Sequence, residues 1–175
     1  MSILKYLGLE PVAPSPPNQE TETVRRITDA LDRMDPDKAR YIAGFAYVLS
    51  RVARADLKVS QEETRAMERL VGDHGGLPEE QAILVVQIAK TQNQLFGGTE
   101  NFLVTREFNN IATREQKLAL LDCLFAVAAA EGSISAEEDG EIRRVSDELR
   151  LEHRDFIAVR YGYRNQLSFL NRPSQ

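Results

Sequence analysis

The residues of this sequence best able to do chemistry lie in two short acidic stretches that are similar to each other. The stretches are ARADLKVSQEE at residues 53–63 and AAAEGSISAEE at residues 128–138, and the second follows the first at a constant offset of 75 residues. Their acidic residues are Asp56, Glu62, Glu63, Glu131, Glu137 and Glu138. An internal repeat of this kind indicates one supersecondary unit that is used twice.

Helix capping is one explanation for four of these acids. Ser60 stands three residues before Glu63, and Ser135 stands three residues before Glu138. This spacing is typical of a capping box, in which the serine hydroxyl and the glutamate each accept a hydrogen bond from a free amide at the helix start. The glutamate one position earlier in each stretch suits the positive end of the helix dipole. These four residues therefore have a structural reason to be present.

Asp56 and Glu131 are harder to explain in this way. Each follows an apolar helical run, where a negative charge meets the negative end of the helix dipole at a cost of about 0.3–1 kcal/mol. The cost is removed either by a bound cation or by amides at the start of the next helix. If a cation is bound, a site with only oxygen ligands predicts that it is calcium, magnesium or manganese. The acids lack the spacing of an EF-hand loop. Val59 and Ile134, the apolar residues of the two loops, are predicted to point inward and could pair with each other.

The remaining polar residues suggest little chemistry. We interpret His74 and His153 as surface residues, because neither has a cysteine or histidine at ligand spacing. A group of basic and aromatic residues on the last predicted helix could contact an anion or a partner, but we interpret it as the solvated face of an amphipathic helix. The group comprises Arg154, Arg160, Tyr161, Tyr163 and Arg164. A Ser-His-acid triad is left open, but there is no nucleophile elbow and no glycine-rich phosphate loop. We therefore expect a binding protein rather than an enzyme.

Composition limits the classes of function. The chain has 175 residues, 42% of them hydrophobic, a net charge of −5 and one cysteine, Cys123. This size predicts one domain, and the acidic balance argues against nucleic-acid binding. A single cysteine excludes a disulfide framework and a cysteine-based zinc site. No secretory leader or membrane-spanning run is evident, so we expect a cytoplasmic protein.

Hydrophobic spacing predicts helices throughout. Apolar residues recur three to four positions apart in the segments 23–34, 36–55 and 152–170, among others. The predicted fold is all-α, a bundle of about seven helices built from two related halves. Residues 1–22, with prolines at 11, 14, 16 and 17, are predicted to be a flexible segment, and residues 23–171 the helical domain.

The duplicated motif resembles that of the TerB-like, tellurite-resistance-associated family. The likeness extends from about residue 23 to residue 170 and rests on both acidic stretches. It implies a cytoplasmic bacterial stress-response protein, sometimes found at the inner membrane, that binds a metal ion through the acids of both loops. The implied ligands are Asp56, Glu62, Glu63, Glu131, Glu137 and Glu138. The family usually has glycine after the acid, as at Gly132, whereas the first copy has Leu57, so the first loop is expected to form a different turn.

Two function hypotheses follow. In the first, the two loops converge on a divalent metal ion, and occupancy stiffens them so that a protein partner can dock. In the second, the chain is a ligand-free helical adaptor that resembles a domain of membrane-anchored co-chaperones, and its acidic loop surface recognises a basic protein partner. Neither hypothesis involves nucleic acid or a small-molecule substrate.

Overall fold

Eight α-helices make up the described part of the chain, which covers residues 19–53, 60–91 and 101–170 of a computed structural model. The helices are α1 (Gln19–Asp32), α2 (Pro36–Val52), α3 (Gln61–Gly75), α4 (Glu79–Lys90), α5 (Asn101–Ile111), α6 (Arg114–Ala129), α7 (Ala136–Glu148) and α8 (His153–Tyr161). These residues contain no strand, and an isolated parallel bridge joins Ile134 to Leu167. The predicted all-α class is confirmed, with eight helices in place of about seven.

Local capping explains where several helices begin. The Asp35 side chain accepts hydrogen bonds from the backbone amides of Asp37 and Lys38, and Pro36 occupies the first position of α2. Proline fits there because the first amides of a helix have no partner within the helix. Thr113 starts α6 with a complete capping box. These helix starts are therefore set by residues next to them in the sequence.

The core lies around α2 and α6, the two most apolar long helices. Helix α2 packs against α1, α4, α5, α6 and α7, and α6 packs against α2, α3, α7 and α8. Phe45 and Leu49 of α2, and Leu124 and Phe125 of α6, have no exposed surface. Full burial of such a side chain contributes about 1.5–3 kcal/mol. Each acidic stretch begins where one of these two buried helices ends.

The helix after each acidic stretch contacts the other half of the chain. Helix α3 packs most extensively against α6, and α7 contacts α2. Arg51 in the last turn of α2 donates hydrogen bonds to Glu141 and Glu148 of α7, at 2.8 and 2.6 Å. The Arg51 side chain is only 9% exposed, so this ion pair is largely shielded from water. The two halves thus complete one shared core.

The first two helices differ from the predicted bounds by a few residues. Helix α1 begins at Gln19 rather than near residue 23, because glutamate and glutamine favour helix without contributing to an apolar period. Helix α2 ends at Val52 rather than Ala55, since Ala53 has an extended backbone with ψ of 111°. Residues 1–18, which include most of the predicted flexible segment, lie outside the described part of the chain.

The last helix is much shorter than predicted. Helix α8 ends at Tyr161, and the chain then forms a 3₁₀ turn at Arg164–Gln166. The prediction of one helix over residues 152–170 was therefore wrong. Leu167 is buried in another way, because it folds back onto the body and is 1% exposed. Apolar spacing alone cannot distinguish a helix from a segment that folds back onto the core.

A strained residue ends α7 and gives a first prediction. Arg150 has a φ of 55°, within a Schellman motif in which its amide bonds to the carbonyl of Asp147 and the Leu151 amide to that of Ser146. Glycine adopts this conformation without steric cost. We expect Arg150→Gly to raise the free energy of unfolding by about 0.5–1 kcal/mol in urea denaturation. Arg150→Ala, which keeps the Cβ atom, should give no such gain, and an equal gain would contradict the strain.

Candidate functional site: the two acidic loops

The first acidic stretch begins α3 with a complete capping box. The Ser60 hydroxyl accepts a hydrogen bond from the Glu63 amide at 3.2 Å, and the Glu63 carboxylate accepts one from the Ser60 amide at 2.7 Å. The Glu62 side chain is exposed and accepts no hydrogen bond within the described residues. Asp56, the predicted ligand of the preceding loop, lies outside those residues, as does Val59.

The second acidic stretch repeats this arrangement at α7. The Ser135 amide and hydroxyl both donate to Oε2 of Glu138, at 2.8 and 2.9 Å, and the Glu138 amide donates to the Ser135 hydroxyl at 3.2 Å. The other carboxylate oxygen of Glu138, Oε1, has no hydrogen bond in the part of the chain that is described. The repeated motif is therefore seen as the same local structure at the two helix starts.

Glu131 lies in the turn that follows α6. The turn is closed by a hydrogen bond from the Gly132 amide to the Ala129 carbonyl at 2.9 Å, and Gly132 has a φ of 100°. This φ favours glycine, which explains the residue after the acid. The Glu131 side chain is exposed, and it accepts no hydrogen bond and forms no ion pair within the described residues. Amides of the next helix therefore do not neutralise it.

Ile134 attaches the second loop to the core. Its side chain is fully buried, as predicted. Its amide donates to the Gln166 carbonyl at 2.7 Å, and its carbonyl accepts from the Ser168 amide at 3.0 Å. The suggested pairing of Ile134 with Val59 lies outside the described residues. Within those residues, Ile134 forms a backbone bridge with Leu167.

Asp139, one residue beyond the second stretch, is held by a distant arginine. Arg160 on α8 donates to its two carboxylate oxygens at 2.7 and 3.2 Å. The two side chains are only 16% and 22% exposed. A two-point arginine–carboxylate contact fixes orientation as well as distance. The interpretation of Arg160 as part of a solvated helix face is therefore wrong, and no local sequence signal connects this residue to Asp139.

A second polar cluster joins three parts of the fold. Asp122 on α6 contacts His74 Nδ1 at the end of α3 at 2.7 Å, and accepts a hydrogen bond from the Tyr163 hydroxyl at 2.7 Å. Burial, together with this carboxylate, raises the pKa of Tyr163 above its usual value. The interpretation of His74 as a surface residue missed this contact, and the interpretation of Tyr163 as part of a solvated helix face is wrong. His153 is exposed as predicted.

The cluster does not form a catalytic triad. No serine or threonine hydroxyl contacts His74 within the described residues. The neighbouring thiol of Cys123 is fully buried, and burial raises its pKa to about 12. A thiol that remains protonated at neutral pH is a weak nucleophile. The arrangement supports a structural role that links α3, α6 and the segment after α8.

The described residues do not themselves assemble a metal site. No group of three or more histidine, cysteine, aspartate or glutamate side chains in ranges 22–53, 60–91 and 104–170 is placed to hold a metal ion. Each capping glutamate contacts its own serine, and Asp139 contacts Arg160. The predicted convergence of the six acids thus involves a loop, with Asp56, that lies outside the described residues. Among the described helices, none is long and apolar enough to span a membrane.

The fold and the two acidic stretches define a class: all-helical proteins in which each acidic stretch leads into a helix that begins with a capping box. A family model described as Tellurite resistance protein TerB matches residues 42–161, more than half of the chain. The chain belongs to the TerB family. Searches of curated proteins and of solved structures gave no match. The resemblance seen in the sequence is thereby confirmed.

The capping box at α3 gives a prediction about pH. The pKa of Glu63 lies below its usual range because the Ser60 amide and hydroxyl donate to its carboxylate. A lowered folded-state pKa stabilises the protein above the unfolded-state value of about 4.3. We expect Glu63→Gln to unfold at lower urea concentration than wild type at pH 7, and the difference to vanish as the pH falls through the folded-state pKa.

Glu62→Gln is the matched control for this prediction. The Glu62 side chain is exposed and accepts no hydrogen bond in the described part of the chain, so its replacement should shift the urea midpoint less. An NMR titration of the Glu63 side chain would give its pKa directly. A pKa at the ordinary glutamate value, or a difference from wild type that does not change with pH, would contradict the capping contribution.

Proposed function

We propose that this TerB-family chain binds a divalent cation, calcium, magnesium or manganese, through its acidic loops. In this proposal it acts as a non-enzymatic stress-response scaffold in the cytoplasm of a bacterium, free or peripheral to the inner membrane. Cation binding orders the loops, and the ordered loops receive a protein partner. The proposed ligands are Asp56, Glu62, Glu63, Glu131, Glu137 and Glu138.

Glu131 is the observation that carries this proposal. Its carboxylate is exposed just beyond the C-terminal end of α6 and has no donor within the described residues. The last carbonyls of a helix and a carboxylate are both negative, so they repel each other in the absence of a positive charge. Both are also ligands that calcium accepts. A cation at this loop would therefore remove an unfavourable interaction and satisfy exposed oxygens at the same time.

The capping boxes are compatible with this role. Glu63 and Glu138 each use Oε2 for the serine at the helix start, and Oε1 has no hydrogen bond within the described residues. The serine therefore orients the carboxylate while one oxygen stays available. A ligand that is already oriented loses less side-chain entropy when a metal ion binds.

A ligand-free adaptor is the second candidate. The observation that favours it is that the described acids do not form a group of three around one point. In this case the exposed Glu62 and Glu131 would form part of an acidic surface for a basic protein partner. Such a surface acts through long-range attraction that weakens with salt, and it needs no metal ion.

Glu138→Gln distinguishes the two candidates. Glutamine can still accept the hydrogen bonds of Ser135, so the variant should melt within a few degrees of wild type. Removal of one ligand charge should weaken binding of calcium or manganese. We expect wild type to show cation-dependent NMR shifts at Glu131 and Gly132, and the variant to need about tenfold more cation.

Glu115→Gln is the control for this experiment. Glu115 is in the first turn of α6, at the opposite end of that helix from the second loop. Its replacement by glutamine removes the same charge. It should leave the cation response unchanged. If wild type responds to none of calcium, magnesium and manganese, the metal proposal is wrong and the adaptor is favoured. In that case, binding to a basic partner should persist in the presence of a chelator.

A further inference from the structure

Residues 162–170, which we call the C-terminal strap, fold back against the second acidic loop. The family match ends at residue 161, so the strap lies just beyond it. The strap contains the 3₁₀ turn Arg164–Gln166 and the buried Leu167. Its position relative to the loop is set by main-chain and side-chain contacts.

Three hydrogen bonds join the strap to the loop at Ile134. The Ile134 amide donates to the Gln166 carbonyl at 2.7 Å. The Ser168 amide and hydroxyl both donate to the Ile134 carbonyl at 3.0 Å. Because Ile134 lies between Glu131 and the cap residue Ser135, these bonds constrain the backbone between the two parts of the candidate site. Arg160, just before the strap, holds Asp139 on the other side of that cap.

The other end of the strap is attached to α6. The Tyr163 hydroxyl donates to the Asp122 carboxylate at 2.7 Å, and its ring stacks on Phe125 with centroids 5.4 Å apart. A hydrogen bond to a charged acceptor is among the stronger ones in proteins. The strap is therefore anchored on the buried helix that leads into the second acidic loop.

One feature of the strap opposes its attachment. The side-chain oxygen Oε1 of Gln166 is buried and has no hydrogen-bond partner among the described residues. Burial of an acceptor without a donor is unfavourable, because the oxygen loses its hydrogen bonds to water. The docked strap thus combines favourable contacts with an uncompensated polar atom, and its docking equilibrium can be shifted in either direction by substitution.

We propose that the C-terminal strap positions the second acidic loop, and that docking of the strap and occupancy of the loop by a divalent cation favour each other. The first half of this proposal, the positioning of the loop, is supported by the contacts above. The second half, the coupling to a cation, rests on the proposed function. Coupling between two binding events is reciprocal, so a strap that raises cation affinity must itself be held more firmly when the cation is bound.

Hydrogen exchange measured by NMR without added metal tests the first half. Leu167→Ala and Tyr163→Phe should each speed exchange of the Ile134 and Ser168 amides by about tenfold or more relative to wild type. Gln166→Met removes the unpaired oxygen and should slow the same amides. Leu170→Ala is the surface control, because Leu170 is 58% exposed, and it should leave both rates unchanged.

A loss of overall stability must be separated from a local effect. Leu84 on α4 is 6% exposed, and Leu84→Ala is a core truncation remote from the strap. It should accelerate the slowest core amides as Leu167→Ala does, without a selective effect at Ile134 and Ser168. Tyr163→Phe keeps the aromatic ring, so it can be used for the same measurement if Leu167→Ala does not fold. Unchanged exchange at Ile134 in a folded Tyr163→Phe variant would overturn the positioning role.

Titration with calcium and manganese tests the second half. The cation affinity measured from the NMR shift of Gly132 should fall about tenfold in Tyr163→Phe and rise in Gln166→Met. In wild type, a saturating concentration of cation should slow exchange of the Ser168 amide. If wild type binds and Tyr163→Phe binds equally well, the coupling is wrong and the proposed function survives. If wild type binds no cation but the exchange rates change as expected, the proposed function fails and the strap still positions the loop.

Discussion

The structure depends on the burial of two apolar helices, α2 and α6. Apolar side chains occupy most of the surface of each helix, so other helices must cover each of them on nearly all sides. The other helices supply this cover, and α3 and α7 do so by packing against α6 and α2. Each acidic stretch begins at the C-terminal end of one of these two helices, and the described acids Glu62 and Glu131 are exposed there. The placement of the candidate site is thus a consequence of how the core is closed.

Charged contacts then specify how the shared core is held together. Arg51 connects α2 to two carboxylates of α7, Arg160 connects α8 to Asp139, and Asp122 connects α6 to His74 and Tyr163. Each contact joins elements that are distant in sequence, and most of these side chains are at least half buried. Partly shielded pairs of this kind contribute more than surface pairs, because water screens them less. Glu131 differs from these acids in having no such contact within the described residues.

Capping and spacing made much of the fold predictable. The local signals are Asp35-Pro36 and the capping boxes of Ser60, Thr113 and Ser135, and four helices begin where those signals lie. The error at residues 162–170 has the opposite cause. Its apolar residues have helical spacing, but pairing with Ile134 satisfies backbone groups that a longer helix would have used. That pairing depends on a partner more than 30 residues away, to which local propensity is insensitive.

The sequence by itself determined the helical class, the duplicated acidic motif, the capping boxes and the inward direction of Ile134, because each follows from residues within a few positions of one another. Only the tertiary structure decided which acids are already bonded. It pairs Asp139 with Arg160 and Asp122 with His74 and Tyr163, and it leaves Glu131 exposed. The reason is physical: the free energy of a carboxylate depends on the charges and donors within a few ångströms of it, and the folded chain brings those groups from distant parts of the sequence.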